Sequence, residues 1–290
     1  MKPTYLITGA TGILGSQIVQ YLLKTLPASQ VAVLVRNPEK ATELKNLGVE
    51  IRKGDYHQAD SLPAALEGIE KLLLISSSDF NDRFGQHKNV IDAAVNAGVS
   101  HIFYTGVTLR NPGESTIRPL LYSHFETEYY IKSTGLAYTF LRNGLYQEVI
   151  PMFTGEAVLQ TGIFFPSGEG KVAFASRSDL AEATATLLTA PDTAGKVFAL
   201  TGKQAYSFGE VAQLLIKLSG KDVPFVSPSS ELYENTLRSF SLPEGIITMS
   251  TLFASSIQNG DFEEENTTLE ELLGRPEKSM ENFLRETYSL

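Results

Sequence analysis

The chain of 290 residues contains no cysteine and no tryptophan. The absence of cysteine excludes disulfide frameworks, thiol redox chemistry and thiolate metal ligands. Basic surplus is also missing: 24 Lys and Arg face 33 Asp and Glu, for a net charge of −9. That balance argues against nucleic acid as a partner, because binding phosphates needs a concentrated cationic surface. No apolar run reaches the roughly 20 residues that span a bilayer, so no membrane association is expected. The opening "MKPTYLITGA" lacks a signal-peptide pattern, and a cytoplasmic protein is expected. Four histidines, His57, His87, His101 and His124, show no ligand spacing, and no metal is expected.

What is present is a composition able to bury a substantial core, 42% hydrophobic and 20% charged. Short apolar runs recur at 4–8, 31–35, 49–53, 71–76, 101–105 and 138–142, separated by segments long enough to be helices. This alternation predicts an α/β fold with a doubly wound parallel sheet. After about residue 145 the alternation breaks down, which predicts a domain over 1–150 and a smaller C-terminal α+β lobe over 151–290, with some elements returning to the main sheet. Helix boundaries are readable locally. Asn37 as N-cap, Pro38 at the first helical position and Gly48 beyond the end predict a helix over 38–47. Ser178 as cap and Pro191 as stop predict a second.

The stretch "TYLITGATGILGSQIVQYLL" places Gly9, Gly12 and Gly15 between a strand and a helix. The first glycine permits the turn, the second lets backbone approach a pyrophosphate, and the third lets the helix lie close on the strand. The helix N-terminus then offers free N–H groups to the phosphates. A tight strand-to-helix turn without ligand is the simpler alternative, and the β-α repeats that follow favour the dinucleotide site. NAD sites usually carry Asp or Glu about 20 residues on. Here that position is Arg36, with Lys40 one turn later, which favours the 2′-phosphate of NADP(H) over a bare hydroxyl. Solvated surface charge is the plainer reading of both. Asp55, near the end of the third strand, and Ser76 and Ser77, after the fourth, stand where open α/β sheets bind ligands.

The set "TGATGILG", "RNPEK", "GDY", "LLLISSS", "HIFYTG", "HFETE" and "RNGLYQE" resembles the NmrA-like atypical short-chain dehydrogenases, in particular the NADPH-dependent quinone oxidoreductases and triphenylmethane reductases. The resemblance runs nearly the full length. It implies a Rossmann-like fold and NADP(H) held by Gly9, Thr11, Gly12, Leu14, Gly15, Arg36, Lys40, Asp55, Ser76, Ser77, Thr105 and Asn143. Asn143 would lie at the nicotinamide end. Tyr146 and Glu148 would face the substrate.

Short-chain dehydrogenases usually carry Tyr-x-x-x-Lys after the fifth strand, and "LLYSHFETEYYIKSTG" does not supply it. The family's catalytic serine is replaced by Thr105. Carbonyl reduction to an alcohol benefits from a positioned proton donor. A quinone accepts hydride to give a phenolate-like anion, which water protonates readily, so the expected reaction is NADPH-dependent reduction of quinones or similar planar acceptors. His124, with Glu128 at i+4 orienting its ring, is a candidate hydrogen-bond donor to the developing oxyanion. An exposed surface pair is the alternative. The expected catalytic set is His124, Asn143 and Tyr146. Phe153, Phe164 and Phe165 are candidate walls for a planar acceptor, although core packing explains most aromatics. The motif "PSGEGKV" lacks the first glycine and the Ser/Thr of a phosphate loop and reads as a turn. A nucleotide-sensing regulator without turnover, of the NmrA type, is the rival function, and a homodimer is the expected assembly.

Overall fold

The computed structural model describes residues 3–290. Seven strands form one sheet: β1 (Tyr5–Ile7), β2 (Val31–Val35), β3 (Glu50–Lys53), β4 (Lys71–Ile75), β5 (His101–Val107), β6 (Ala137–Asn143) and a seventh, Lys196–Leu200. Their order is β3-β2-β1-β4-β5-β6 and then the seventh strand. The pairs from β3 through β5 run parallel. Gly195 N–H donates to Tyr138 O and Gly144 N–H to Leu200 O, so β6 and the seventh strand also run in one direction. The chain winds outward from β1 to β3, then crosses back to begin β4 on the other side of β1. This reversal opens a crevice beyond the carboxyl ends of β1 and β4, where ligands bind in such sheets.

The central strands are buried on both faces, as a parallel sheet covered by helices requires, while the edge strands β3 and Lys196–Leu200 are largely exposed or half-buried. Every residue of β2, Val31–Val35, is buried. Helix α1 (Ile13–Leu22) turns Leu14, Gly15, Ile18, Val19 and Leu22 inward at helical spacing and packs against helix Arg177–Thr189.

The chain divides into two compact units that interleave in sequence instead of splitting once near residue 150. Unit 1, the sheet unit, comprises 1–107, 123–142 and 177–199; unit 2 comprises 108–122, 143–176 and 200–290. Strand Lys196–Leu200, drawn from the C-terminal half, is the seventh strand of the main sheet.

Two local expectations change. The segment over 38–47 begins as a 3-10 turn, Pro38–Ala41, before a short α-helix, Thr42–Asn46; Asn37 does cap it, accepting from the Glu39 amide. Helix Arg177–Thr189 starts one residue before Ser178, which therefore sits in its first turn and not at its cap.

Unit 2 has its own core. Helix Phe208–Ser219 opens with a reciprocal Ser207–Glu210 capping box and closes on Gly220 in the left-handed region. Around it Phe153, Phe165, Phe174 and Tyr233 pack ring on ring, with Phe153 and Phe165 stacked at 4.9 Å. The buried carboxylate of Asp261 accepts from Ser115 and Ser256, each at 2.5 Å, and ties three segments of the unit together.

Candidate active site

The glycine turn has the geometry its spacing implied. Gly9 adopts φ +60°, a conformation that glycine takes without strain. A Cβ on Gly15 would lie 2.4 Å from Gly9 O and 2.8 Å from Ala10 Cα, so only glycine lets α1 lie this close to the turn. A Cβ on Gly12 would meet nothing but Gly9 O at 3.3 Å. Gly12, the N-cap of α1, supplies no side-chain cap, and the first turn carries no acidic residue. The first amides of α1 thus lack an intrahelical acceptor and point outward beside exposed Thr11 and Gly12. The Leu14 side chain is buried in the core, so its contribution to a ligand is its amide.

Around this turn the carboxyl ends of the strands carry the other candidates of unit 1. Arg36 and Lys40, beyond β2, are exposed; the Arg36 charge is felt at Tyr56 and Asp79. Asp55, two residues past β3, accepts from the His57 amide at 3.0 Å and shapes its own loop. Past β4, the Ser76 amide donates to Thr105 Oγ1 at 2.9 Å, which brings two predicted residues together. The Ser77 amide donates to His87 Nε2 at 2.9 Å, and Ser77 O accepts from Arg83 Nε at 2.9 Å. Helix Arg83–Asn96 therefore pins the Ser76–Ser77 loop from both sides.

Several residues that the sequence reading passed over support this frame. Thr8 Oγ1 donates to Leu73 O and accepts from the Ile75 amide and the Tyr56 hydroxyl, which locks β1 to β4. Tyr56 is braced in turn, since Asn89 Nδ2 donates to its carbonyl. Their signal in sequence is faint, a tyrosine after "GD" and an asparagine inside a helix.

The expected His124–Glu128 pair does not exist. Both side chains are buried, at 7% and 3% exposure, but Glu128 is held by Arg142 through two bonds of 2.9 and 2.6 Å. A guanidinium fork on β6 outcompetes a neutral imidazole for that carboxylate. His124 Nδ1 lies 2.9 Å from the Tyr104 hydroxyl. Tyr104 also lies 3.5 Å from His87 Nδ1, and His87 Nδ1 lies 2.9 Å from Thr127 Oγ1. Burial is the main force holding both imidazoles neutral: it takes His87 down to about 3, with the Arg83 charge adding to the shift. His124 is also lowered, by burial first and then by Arg83 and His87. The Tyr104 phenol is pushed up by burial.

The tyrosines beside Lys132 do not reproduce the usual acid pair. Tyr129 is 64% exposed, Tyr130 donates to Asp92, and Lys132 lies over the rings of Tyr138 and Phe140.

Asn143 ends β6 and is 2% exposed, yet neither Oδ1 nor Nδ2 has a hydrogen-bond partner. Each buried group left unpaired costs about 1–3 kcal/mol, so the Asn143 amide holds hydrogen-bonding capacity that no described residue uses. Tyr146, half-buried, forms a parallel bridge with Ala175, and Glu148 lies in the turn Gln147–Val149 that follows. Of the candidate aromatic walls, Phe165 is buried in the unit 2 core, while Phe153, stacked on it, and Phe164, packed on Tyr233, are half-buried.

A dinucleotide phosphate fits these donors of unit 1: uncapped helix amides and an open glycine for a pyrophosphate, and in Arg36 an exposed guanidinium with no ion pair among the described residues. The glycines give a separable prediction. Gly12→Ala should leave urea stability within about 1 kcal/mol of the parent while weakening NADPH binding by fluorescence titration. Gly15→Ala should lose about 1–3 kcal/mol of stability, because its Cβ collides with backbone.

The two imidazoles give a second. Both have depressed values, so as pH falls from 6.5 toward 3 the unfolded chain takes up protons that the folded chain refuses, and stability is lost. His87 alone should remove about 2 kcal/mol between pH 7 and pH 5. Urea unfolding at the two pH values should show at least this loss, and a smaller one in His87→Gln.

The NmrA-like family model matches residues 1–284. Quinone oxidoreductase 2 of Escherichia coli (strain K12) is 40% identical over 271 residues, covering 93% of each chain. The structure of Escherichia coli NADPH-dependent quinone oxidoreductase complexed with NADPH superposes with a TM-score of 0.93 at 37% identity, covering 98% of this chain and 99% of that one. The Citrobacter sp. triphenylmethane reductase complexed with NADP(H) gives 0.91 at 38%, with the same coverage. Glycine turn, Rossmann-like sheet and full-length similarity agree, and the chain belongs to the NmrA-like family.

Proposed function

We propose that this protein is an NADPH-dependent reductase of quinones or similar planar acceptors, working by hydride transfer without a Tyr-Lys acid pair. The observation that carries the reading is Asn143, whose amide is buried with both polar atoms unpaired at the carboxyl end of β6. NADP(H), when bound, supplies or accepts the hydride. The two relatives solved with that nucleotide support its assignment here.

The chain's own residues then have distinct tasks. The α1 amides and Gly12 receive the pyrophosphate, and Arg36 and Lys40 meet the 2′-phosphate. The loop Ser76–Ser77 and Thr105 line the dinucleotide, and Asp55 lies at the adenine end. Asn143, with a donor at Nδ2 and an acceptor at Oδ1 that no described residue uses, would hold the nicotinamide carboxamide. Tyr146 borders the acceptor. His124 donates a hydrogen bond to the acceptor oxygen on which negative charge develops. The final proton comes from water, at low cost because a hydroquinone is about as acidic as a phenol. Nothing in this sequence of tasks needs a strong acid.

Mixing the protein with NADPH and a benzoquinone or naphthoquinone should give saturable nucleotide oxidation above a no-enzyme control, and a weaker response with NADH. Arg36→Ala should raise KM for NADPH about 10- to 30-fold, the loss of one charged phosphate contact, and leave KM for NADH nearly unchanged. Tight NADPH binding with no turnover across several quinones would overturn the reading and assign the protein to nucleotide sensing.

A further inference from the structure

The buried groups beneath His124 form a directed chain. An amide N–H can only donate, so the bond from Ser77 N–H to His87 Nε2 requires a lone pair on that nitrogen. A neutral His87 then carries its proton on Nδ1, which faces Thr127 Oγ1 at 2.9 Å. The Thr127 hydroxyl spends its own proton on Ser123 O at 2.8 Å and so is free to accept from His87. Tyr104, 3.5 Å from the same protonated Nδ1, finds no lone pair there. Its hydroxyl faces two other acceptors, Thr127 Oγ1, which already accepts from His87, and His124 Nδ1 at 2.9 Å, the partner it meets directly. Taking that proton leaves a neutral His124 with its hydrogen on Nε2, a nitrogen for which no described residue provides a partner.

We propose that His124 serves as a fixed neutral donor through Nε2–H, and that Tyr104 and His87 are positioning residues that hold it in that tautomer. The proposal rests on the reading of His124 as donor to the acceptor oxygen and adds its protonation state, its tautomer and the groups that set them. His124 donates a hydrogen bond and keeps its proton, so no proton is consumed at this nitrogen. A neutral imidazole is a weaker acid than imidazolium but a permanent donor, and it is used in this way to polarise a carbonyl in at least one well-studied isomerase.

The charged and titratable groups that face His124 agree. Arg83, from helix Arg83–Asn96, places a buried guanidinium nearby, with Nη1 3.2 Å from Ser123 Oγ. It disfavours a second positive charge on either imidazole. His87 lies on the same helix, and Tyr104 comes from β5. Glu128, one turn along helix Arg118–Ser133 from His124, could have stabilised imidazolium, but its charge is matched by Arg142 on β6.

The test is imidazole nitrogen NMR on the full protein labelled with 15N-histidine, combined with steady-state kinetics. The wild type should show His124 as Nε2–H and His87 as Nδ1–H throughout pH 5.5–8, with neither titrating. Tyr104→Phe should move His124 toward a mixture of tautomers and lower kcat for quinone about tenfold, with KM for NADPH unchanged. His87→Gln should shift the His124 signals in the same direction, giving a second route if Tyr104→Phe folds poorly. His124→Gln, whose side-chain amide can present N–H near the Nε2 position, should retain more kcat than His124→Asn, which should lose on the order of 100-fold. An Nδ1–H form of His124 in the wild type, titration within that range, or an unchanged His124 spectrum in Tyr104→Phe would each overturn the proposal. A wild type that shows the expected tautomers but reduces no quinone overturns the functional reading alone and upholds the tautomer assignment.

Discussion

The hydrogen bond from the Ser77 amide to His87 Nε2 is a constraint on which the ligand-facing side of the sheet unit depends. It closes the loop after β4 onto helix Arg83–Asn96, and Arg83 makes the same junction from the other side through the Ser77 carbonyl. Because an amide cannot accept, the bond also fixes His87 as a neutral acceptor at Nε2. A loop that would otherwise be free to move past the sheet is tied to the core by two bonds from one helix turn. The same contact places the His87 proton on Nδ1, toward Thr127 Oγ1.

The glycine turn was legible in sequence because its constraint is local. Whether a Cβ fits at position 15 depends on Gly9 and Ala10, a few residues away, so spacing alone carries the information. The Asn37 cap was readable for the same reason. The parallel sheet followed from repeated apolar runs, and all six runs of the first half became strands. The run "KVFALT" also reads as a strand, but nothing in its own residues says which sheet it joins.

The His124–Glu128 spacing misled for a complementary reason. Residues at i and i+4 share a helix face, but a face with two buried polar groups must satisfy them from other elements as well. Arg142, which takes Glu128, lies 14 residues away on β6, and Tyr104, which takes His124, lies 20 residues away on β5. Tyr104 was invisible because "HIFYT" reads as apolar strand filler, and His87 because "QHKNV" reads as ordinary helix. Both are polar groups whose partners exist only after the sheet and helices have met. The aromatic run around Phe165 erred the other way: rings that resemble a pocket wall in sequence are consumed by one another in the core of unit 2.

Burial also separates two kinds of contact that sequence treats alike. Arg36 and Lys40 are exposed, so their attraction for a phosphate acts through water and is screened over about 10 Å at ordinary salt. In the proposed reading, selectivity for NADPH over NADH built on them is modest in energy and sensitive to ionic strength. Asn143 and His124 are withdrawn from solvent, where an unpaired amide or a fixed N–H interacts more strongly and salt has little access. A catalyst without a proton-donating acid depends on such groups, because a donor aimed at developing charge must already be oriented when the charge appears. In the proposed arrangement Tyr104 meets that requirement by holding His124 as an Nε2–H donor.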